Sequence, residues 1–117
     1  MPFDFEDFPV YKDAIQFADI INVFLEGIPE KGNSRLIDQL QRASTSIALN
    51  IAEGAGRYHK SDKRNYYVIA RGSAYECVAC LRMFLSRKLV PNEKHDEFYL
   101  ALNNLAKQLS AMIKQSV

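Results

Sequence analysis

Apolar residues recur at helical spacing in four long segments of this chain, and a proline or a glycine marks each break between them. The breaks lie around Pro29, Gly54 and Pro91. The segments predict helices over about residues 10–27, 34–57, 61–88 and 93–115. In the first helix, the expected apolar face consists of Ile15, Ala18, Ile20, Ile21 and Leu25. Helices of similar length joined by short turns pack as an antiparallel up-down bundle, so the sequence predicts an all-α four-helix bundle.

The length of the chain, 117 residues, is enough to bury a hydrophobic core but leaves little room for a second domain. We therefore expect one domain over residues 1–117, with residues 1–9 as an N-terminal extension. That extension is acidic and lacks the basic and apolar regions of a signal peptide. No apolar run approaches the ~18 residues that span a membrane. These features predict a cytoplasmic protein without a membrane partner.

The charge of the chain is close to balanced but unevenly distributed. Residues 35–88 contain ten Lys or Arg and four Asp or Glu, a charge of +6, whereas the remainder carries five and ten, a charge of −5. A basic block within an acidic frame is compatible with a site for a polyanion, and equally with self-association through oppositely charged faces.

The second predicted helix carries two neighbouring stripes. The apolar one consists of Leu36, Leu40, Ala43, Ile47 and Ile51, and the polar one of Arg35, Gln39, Arg42, Ser46, Asn50 and Glu53. A polar stripe is usually a solvated helix face. The small and amide side chains of Ser46 and Asn50 instead favour close packing with hydrogen bonds between helices. We expect a structural polar network, which would fix helix register, made of Asn50, Glu53, Arg71, Ser73 and Glu76.

The third predicted helix is apolar on nearly every side. One of its three apolar stripes consists of Ile69, Gly72, Glu76, Ala79 and Met83. A helix in a four-helix monomer needs only one apolar face, so the surplus predicts burial against another subunit. The alternative is a central helix that all three other helices contact.

Residues that carry catalytic or metal chemistry are sparse. Cys77 and Cys80 lie in the middle of a helix among apolar neighbours, where cysteine usually acts as a small hydrophobic residue. The two histidines, His59 and His95, are far apart, and a zinc site needs three or four convergent ligands. We expect His95 to be a solvated surface residue. No nucleophile–base motif or phosphate-binding loop is present, so we expect no enzyme activity, metal or cofactor.

Basic and aromatic residues alternate where the second helix ends and the third begins. We call the following six residues the basic corner: Arg57, Tyr58, His59, Lys60, Lys63 and Arg64. Arginine and lysine side chains contact phosphates, and a tyrosine ring stacks on an unpaired base. The corner therefore predicts nucleic-acid binding. The alternative is a solvated polar turn whose tyrosine side chains pack inward.

Two motifs carry a family resemblance: Asn50-Ile51-Ala52-Glu53-Gly54 followed by Gly56-Arg57, and Ala70-Arg71-Gly72-Ser73-Ala74 followed by Glu76. They resemble the signature of a bacterial four-helix bundle family that includes proteins encoded in intervening sequences of 23S rRNA genes. The accessory variability determinants of diversity-generating retroelements are relatives. The resemblance covers roughly residues 10–115 and implies a cyclic homopentamer. In the retroelement relatives, it also implies a reverse transcriptase and RNA as partners.

Together, the residues and the resemblance predict a non-enzymatic, cytoplasmic homo-oligomer that serves as a scaffold or binds RNA or DNA through a basic rim. A ring of subunits would repeat the corner, and repetition strengthens a weak electrostatic site. The alternative function is a purely structural or protein-binding helical module with no nucleic-acid role.

Overall fold

Four α-helices make up most of the chain in the computed structural model, which describes residues 2–117. They are α1 (Pro9–Glu26), α2 (Ser34–Ala55), α3 (Lys60–Ser86) and α4 (Asn92–Gln115), preceded by one 3₁₀ turn over Asp4–Asp7. The described residues contain no β-strand. The predicted all-α, four-helix fold is confirmed, and every predicted helix end lies within two residues of the observed one.

Short connections make each helix antiparallel to the next. The α2–α3 contact is the most extensive in the bundle, followed by the α3–α4 and α1–α2 contacts. The backbones of α1 and α3 lie diagonally across the bundle, and only core side chains such as Phe24 and Phe84 meet between them. The third helix is therefore not a central helix packed by all three others, and its outer side faces solvent. None of the described helices is long and apolar enough to cross a membrane.

The hydrophobic core runs between the helices. The whole predicted apolar stripe of α2 is buried. Edge-to-face contacts link Phe24 of α1 to Phe84 of α3 and to Phe98 of α4, with ring centroids 5.7 and 5.3 Å apart. Such pairs add to the free energy gained from burial of apolar area, so they help to fix the relative positions of three helices.

The core face of α1 differs from the predicted one. Its buried residues are Val10, Ala14, Phe17, Ile21 and Leu25. Of the predicted face, Ile21 and Leu25 are buried, whereas Ile15 and Ile20 are exposed. The large ring of Phe17 takes the core position between Ala14 and Ile21, which turns the neighbouring isoleucines toward the two edges of the helix.

A glycine sets the separation of α2 and α3 near the end where they join. Gly54 is buried, and a Cβ atom added to it would lie 2.7 Å from Cε1 of Tyr67 and 3.1 Å from Cβ of Tyr66. A contact of 2.7 Å is shorter than carbon atoms tolerate, and the tyrosine ring is itself buried. Only glycine therefore permits the observed approach of the two helices.

We expect Gly54→Ala to lower the free energy of unfolding by ~1–3 kcal/mol, because overpacking outweighs the better helix propensity of alanine. Urea unfolding followed by circular dichroism measures this. The matched control is Gly27→Ala, where an added Cβ would lie 3.6 Å from the nearest atom outside its neighbours and φ is −88°. The control should stay within ~0.5 kcal/mol of the wild type. Equal stability of the two variants would contradict the steric role of Gly54.

Candidate functional site

The basic corner lies at one end of the bundle, on the four-residue connection between α2 and α3 and the first turns of α3. All six predicted residues come together there, because they are close in sequence. Tyr58 is 93% exposed, so its ring does not pack inward. Its ring and that of His59 lie edge to face, at a centroid distance of 5.5 Å. A fully accessible aromatic face beside cations is suited to stacking on a planar ligand.

Two of the six residues hold the corner in shape. Nη2 of Arg57 donates hydrogen bonds to Oε1 of Glu53, at 3.1 Å, and to the hydroxyl of Tyr66, at 2.6 Å. Its guanidinium also lies over the Tyr66 ring, 4.7 Å from the centroid. Nζ of Lys63 donates to the carbonyl oxygen of Ala55 at 2.8 Å. This lysine thereby satisfies a free carbonyl at the C-terminus of α2, where the helix dipole favours a cation.

Three other members of the corner make no contacts of this kind. The side chains of His59, Lys60 and Arg64 are exposed and make no hydrogen bond or ion pair with any residue in the range 2–117. The corner therefore divides into two residues that are held by contacts within the chain, of which Arg57 is also exposed, and four accessible residues without such contacts, counting Tyr58. These four accessible residues can contact a ligand without giving up a contact within the chain.

The predicted polar network is present in one part. The Ser46 and Ser73 hydroxyls, on α2 and α3, lie 2.9 Å apart. Nδ2 of Asn50 donates to Oγ of Ser46 and to its carbonyl oxygen, both at 2.9 Å. Ser73 is buried and the other two are half-buried. Asn50 and Ser73 are thus joined through Ser46, which links the two helices at one height and fixes their register.

The three remaining predicted members point elsewhere within the chain. Glu53 pairs with Arg57 at the surface, and Glu76 accepts a hydrogen bond from Gln39. Arg71 turns to α4, where its Nε donates to Oγ of Ser110 at 2.9 Å, and its Nη2 donates to the Tyr75 hydroxyl at 2.8 Å. These three therefore lie outside the link from Asn50 through Ser46 to Ser73, and the five predicted residues do not form one network within the chain. Gln39 and Ser46 shared the polar stripe of α2, whereas nothing in the sequence singled out Ser110.

The prediction for His95 is wrong. The residue is 7% exposed and packs in the crevice between α3 and α4, with its ring stacked on that of Tyr99 at 6.3 Å. Its position explains the burial, because it begins the α4 core stripe at helical spacing. That stripe continues with Phe98, Leu102, Leu105 and Leu109. The spacing was visible in the sequence, but the residue type favoured a surface assignment.

The outer face of α3 is not covered by any other helix of the bundle. We define it by five exposed residues: Val68, Ile69, Gly72, Ala79 and Met83. A glycine within a helix costs ~1 kcal/mol relative to alanine. A Cβ added to Gly72 would meet no atom within 4 Å. No contact within the chain therefore requires a glycine at this position, in contrast to Gly54.

The two cysteines are free and buried on the inner side of α3. Burial, reinforced by the neighbouring Cys80 and Glu76, raises the pKa of the Cys77 thiol well above its usual range. Burial and Glu76 also raise the pKa of Cys80. Both thiols are therefore protonated at neutral pH. Among residues 2–117, no three His, Cys, Asp or Glu side chains are grouped as metal ligands would be.

Comparison with known proteins agrees with the fold. The chain matches the model of the family described as 23S rRNA-intervening sequence protein over residues 6–111. A crystal structure of a protein of unknown function, from the S23 ribosomal protein family of Bacteroides thetaiotaomicron, superposes with a TM-score of 0.81. The alignment covers 90% of this chain and 98% of that one at 22% identity, so this likeness shows the fold alone. No curated protein matches the chain.

The raised thiol pKa values predict slow reaction of both cysteines with a disulfide reagent in the folded protein. Only the thiolate reacts, so at pH 8 labelling should be ~100-fold slower than in guanidinium-unfolded protein. Absorbance stopped-flow with Ellman's reagent measures both rates. Cys77→Ala and Cys80→Ala variants assign the phases. Native thiols that react as fast as unfolded ones would show that the interior of α3 opens readily.

Proposed function

The chain belongs to the family of 23S rRNA-intervening sequence proteins, and we propose that it acts in the cytoplasm as a non-enzymatic, oligomeric scaffold that binds nucleic acid. The observation that carries this proposal is the basic corner, where a fully exposed tyrosine stands beside three unengaged side chains. By its resemblance to pentameric relatives, five is the subunit number we favour. RNA or single-stranded DNA is the ligand whose chemistry the corner fits best.

Different residues of the corner would supply the phosphate contacts, the base stacking and the rigid support of the proposed nucleic-acid site. Lys60 and Arg64 offer cationic groups to phosphates, and His59 adds a ring that can donate a hydrogen bond. Tyr58 offers a ring face to an unstacked base, which favours single strands over duplex. Arg57 holds the connection in place through Glu53 and Tyr66, so the accessible residues are presented on a rigid support.

A single corner offers few phosphate contacts, so its affinity would be low. Repetition around a ring raises the effective concentration of each further corner once the first has bound. The strand would then follow a basic rim. The proposed assembly is therefore part of the binding mechanism.

Two features support assembly of subunits head to tail. The α3 helix holds five Lys or Arg and two Asp or Glu, a charge of +3, whereas α1 holds one and three, a charge of −2. The two helices lie diagonally opposite in the bundle. One subunit thus presents a basic side and an opposing acidic side. Unlike faces that attract form a heterologous interface, which closes into a ring when the rotation between subunits fits.

The apolar content of these two sides supports the same interface. Met83 and Ile69 on the outer face of α3 are about half exposed, and Gly72 leaves open space between them. On α1, Val23 is 68% exposed and its neighbours on that side, Asp19 and Glu26, are acidic. In the proposed interface, the acidic helix α1 would pack with Val23 against the basic helix α3. Gly72 has no side chain there, so the surface of α3 has a depression that an apolar side chain would fill.

A protein-binding role without nucleic acid is the second candidate. It is favoured by the engagement of Arg57 and Lys63 within the chain, since that leaves fewer free cations than the sequence offers. A reverse transcriptase, the partner that the resemblance to retroelement proteins implies, is one protein that such a scaffold would engage. The nucleic-acid experiment below separates this candidate from the first.

If the accessible residues bind phosphates, affinity for a fluorescent single-stranded RNA should fall at least ~10-fold between 50 and 200 mM salt. Lys60→Glu with Arg64→Glu should weaken binding by at least ~10-fold at low salt, measured by fluorescence anisotropy. The matched control reverses Lys31 and Arg35, which are exposed at the opposite end of the bundle. Unchanged affinity in the corner variant, or no binding by an assembled protein, would favour the protein-binding candidate.

If subunits associate head to tail, either face can be blocked separately. Light scattering of the wild type should give several times the chain mass of 13.4 kDa. Gly72→Trp on α3 and Val23→Arg on α1 should each give a folded monomer, because each removes one half of the interface. Each variant keeps the other half, so a 1:1 mixture should form a dimer and nothing larger.

Two outcomes would contradict the assembly. A monomeric wild type would remove the ring and the gain from repeated corners. A Val23→Arg variant that keeps the wild-type mass would show that α1 lies outside the interface. Circular dichroism of each variant confirms that the bundle is folded, which the exposure of both sites favours.

A further inference from the structure

A cleft of about 660 Å³ lies on the surface between α3 and α4. Small residues line it on both helices, Ala74 and Ala79 on α3 and Ala106 on α4, and their side chains leave space unfilled. Its volume is in the ~300–1,000 Å³ range of small-molecule sites. The floor is apolar, with Val78 and Leu102 among its residues.

His95 supplies a polar group at the inner end of this cleft. Its side chain is 9% exposed, and Nδ1 lies 3.3 Å from Oδ1 of Asp96. Nε2 makes no hydrogen bond with any residue in the range 2–117. Every fully enclosed side-chain nitrogen or oxygen in that range has a partner, so Nε2 is not fully enclosed, and its residue lines the cleft. A buried imidazole with a free nitrogen on a cleft is a hydrogen-bonding group available to a ligand.

The other lining residues define the ligand chemistry further. Tyr75 on α3 and Tyr99 on α4 are about half exposed, so each helix contributes an aromatic ring. Arg71 fixes Tyr75 through its hydroxyl and ring face. The Arg82 guanidinium has no carboxylate within 4 Å among the described residues and stands at the same end of the cleft as His95, because α3 and α4 are antiparallel. A free guanidinium binds phosphate or carboxylate through paired hydrogen bonds.

We propose that this cleft binds a planar, nitrogen-containing heteroaromatic ring that carries an anionic group, which is the chemistry of a nucleotide. The tyrosine rings pack against the planar ring. His95 and Asp96 offer a donor or acceptor to ring nitrogens and exocyclic amines, and Arg82 pairs with the phosphate. The evidence for this site is the cleft and its lining residues, and it does not depend on the basic corner or on assembly. The site is therefore an addition to the proposed function.

Calorimetric titration with adenosine monophosphate (AMP) and with adenosine tests the site. AMP should bind with a Kd on the order of 1 mM or lower. Adenosine should bind ~10-fold more weakly, because it lacks the group that Arg82 pairs with. Arg82→Gln should remove the preference for AMP and leave adenosine binding unchanged. This split distinguishes a phosphate contact from a general loss of structure.

Filling the cleft gives the second test. Ala106→Trp should reduce AMP affinity by at least ~10-fold, because the indole occupies the space. The matched control is Ala101→Trp, at another half-buried alanine of α4, which lines the groove against α1 and should leave AMP affinity unchanged. No AMP binding by the wild type, or equal binding by the Ala106 and Ala101 variants, would overturn the proposal. So would an AMP preference that survives in Arg82→Gln.

A five-nucleotide oligoadenylate distinguishes two ligands that share this chemistry, one nucleotide of a single strand and a free nucleotide. Binding at least ~10-fold tighter than AMP, and lost in Ala106→Trp, would assign the cleft to one nucleotide of a single strand. Binding no tighter than AMP would assign it to a free nucleotide. The Lys60→Glu, Arg64→Glu variant should keep its AMP affinity, so a failure of the basic corner leaves this test intact.

Discussion

The contact of the Tyr67 ring with the backbone at Gly54 is the constraint on which the rest of the structure depends. It sets the distance between α2 and α3, whose interface is the most extensive in the bundle. That distance lets the Ser46 and Ser73 hydroxyls meet at 2.9 Å farther along the same pair of helices. It also determines where the next few residues, the basic corner, leave the bundle. A steric fit thus positions both the polar link and the exposed cations.

The fold could be predicted from the sequence because helix periodicity and chain breaks are local signals. The α2 stripe from Leu36 to Ile51 is buried as its spacing predicted. The α1 face could not be assigned correctly from hydrophobicity alone, since Ile15 and Phe17 are both apolar and only packing chooses between them. His95 is the opposite case. Its spacing placed it correctly on the core stripe of α4, but histidine is usually a surface residue, and the prediction followed the residue type.

The polar contacts were less predictable than the fold, for a different reason. Short side chains such as Ser46, Ser73 and Asn50 reach only their immediate neighbours, and the helix pairing alone brought them together. A long side chain such as Arg71 reaches partners on two helices, and its hydrogen bond to Ser110 depends on the lateral position of α4. The cleft between α3 and α4 was equally hidden, because it depends on which residues of two helices come to line the same groove.

The diagonal placement of α1 and α3 has a consequence for the electric field around the molecule. A charge of −2 on α1 and of +3 on α3, on opposite sides of a body with short dimensions of 23 and 21 Å, gives it a transverse electric dipole. If copies of the chain associate as proposed, such a dipole would turn an approaching copy into the head-to-tail orientation before any side chains touch. The field acts over about one Debye length, ~8 Å at physiological ionic strength. In the proposed assembly, this field would therefore set the orientation of the subunits first, and the α3 surface around Gly72 would complete the contact.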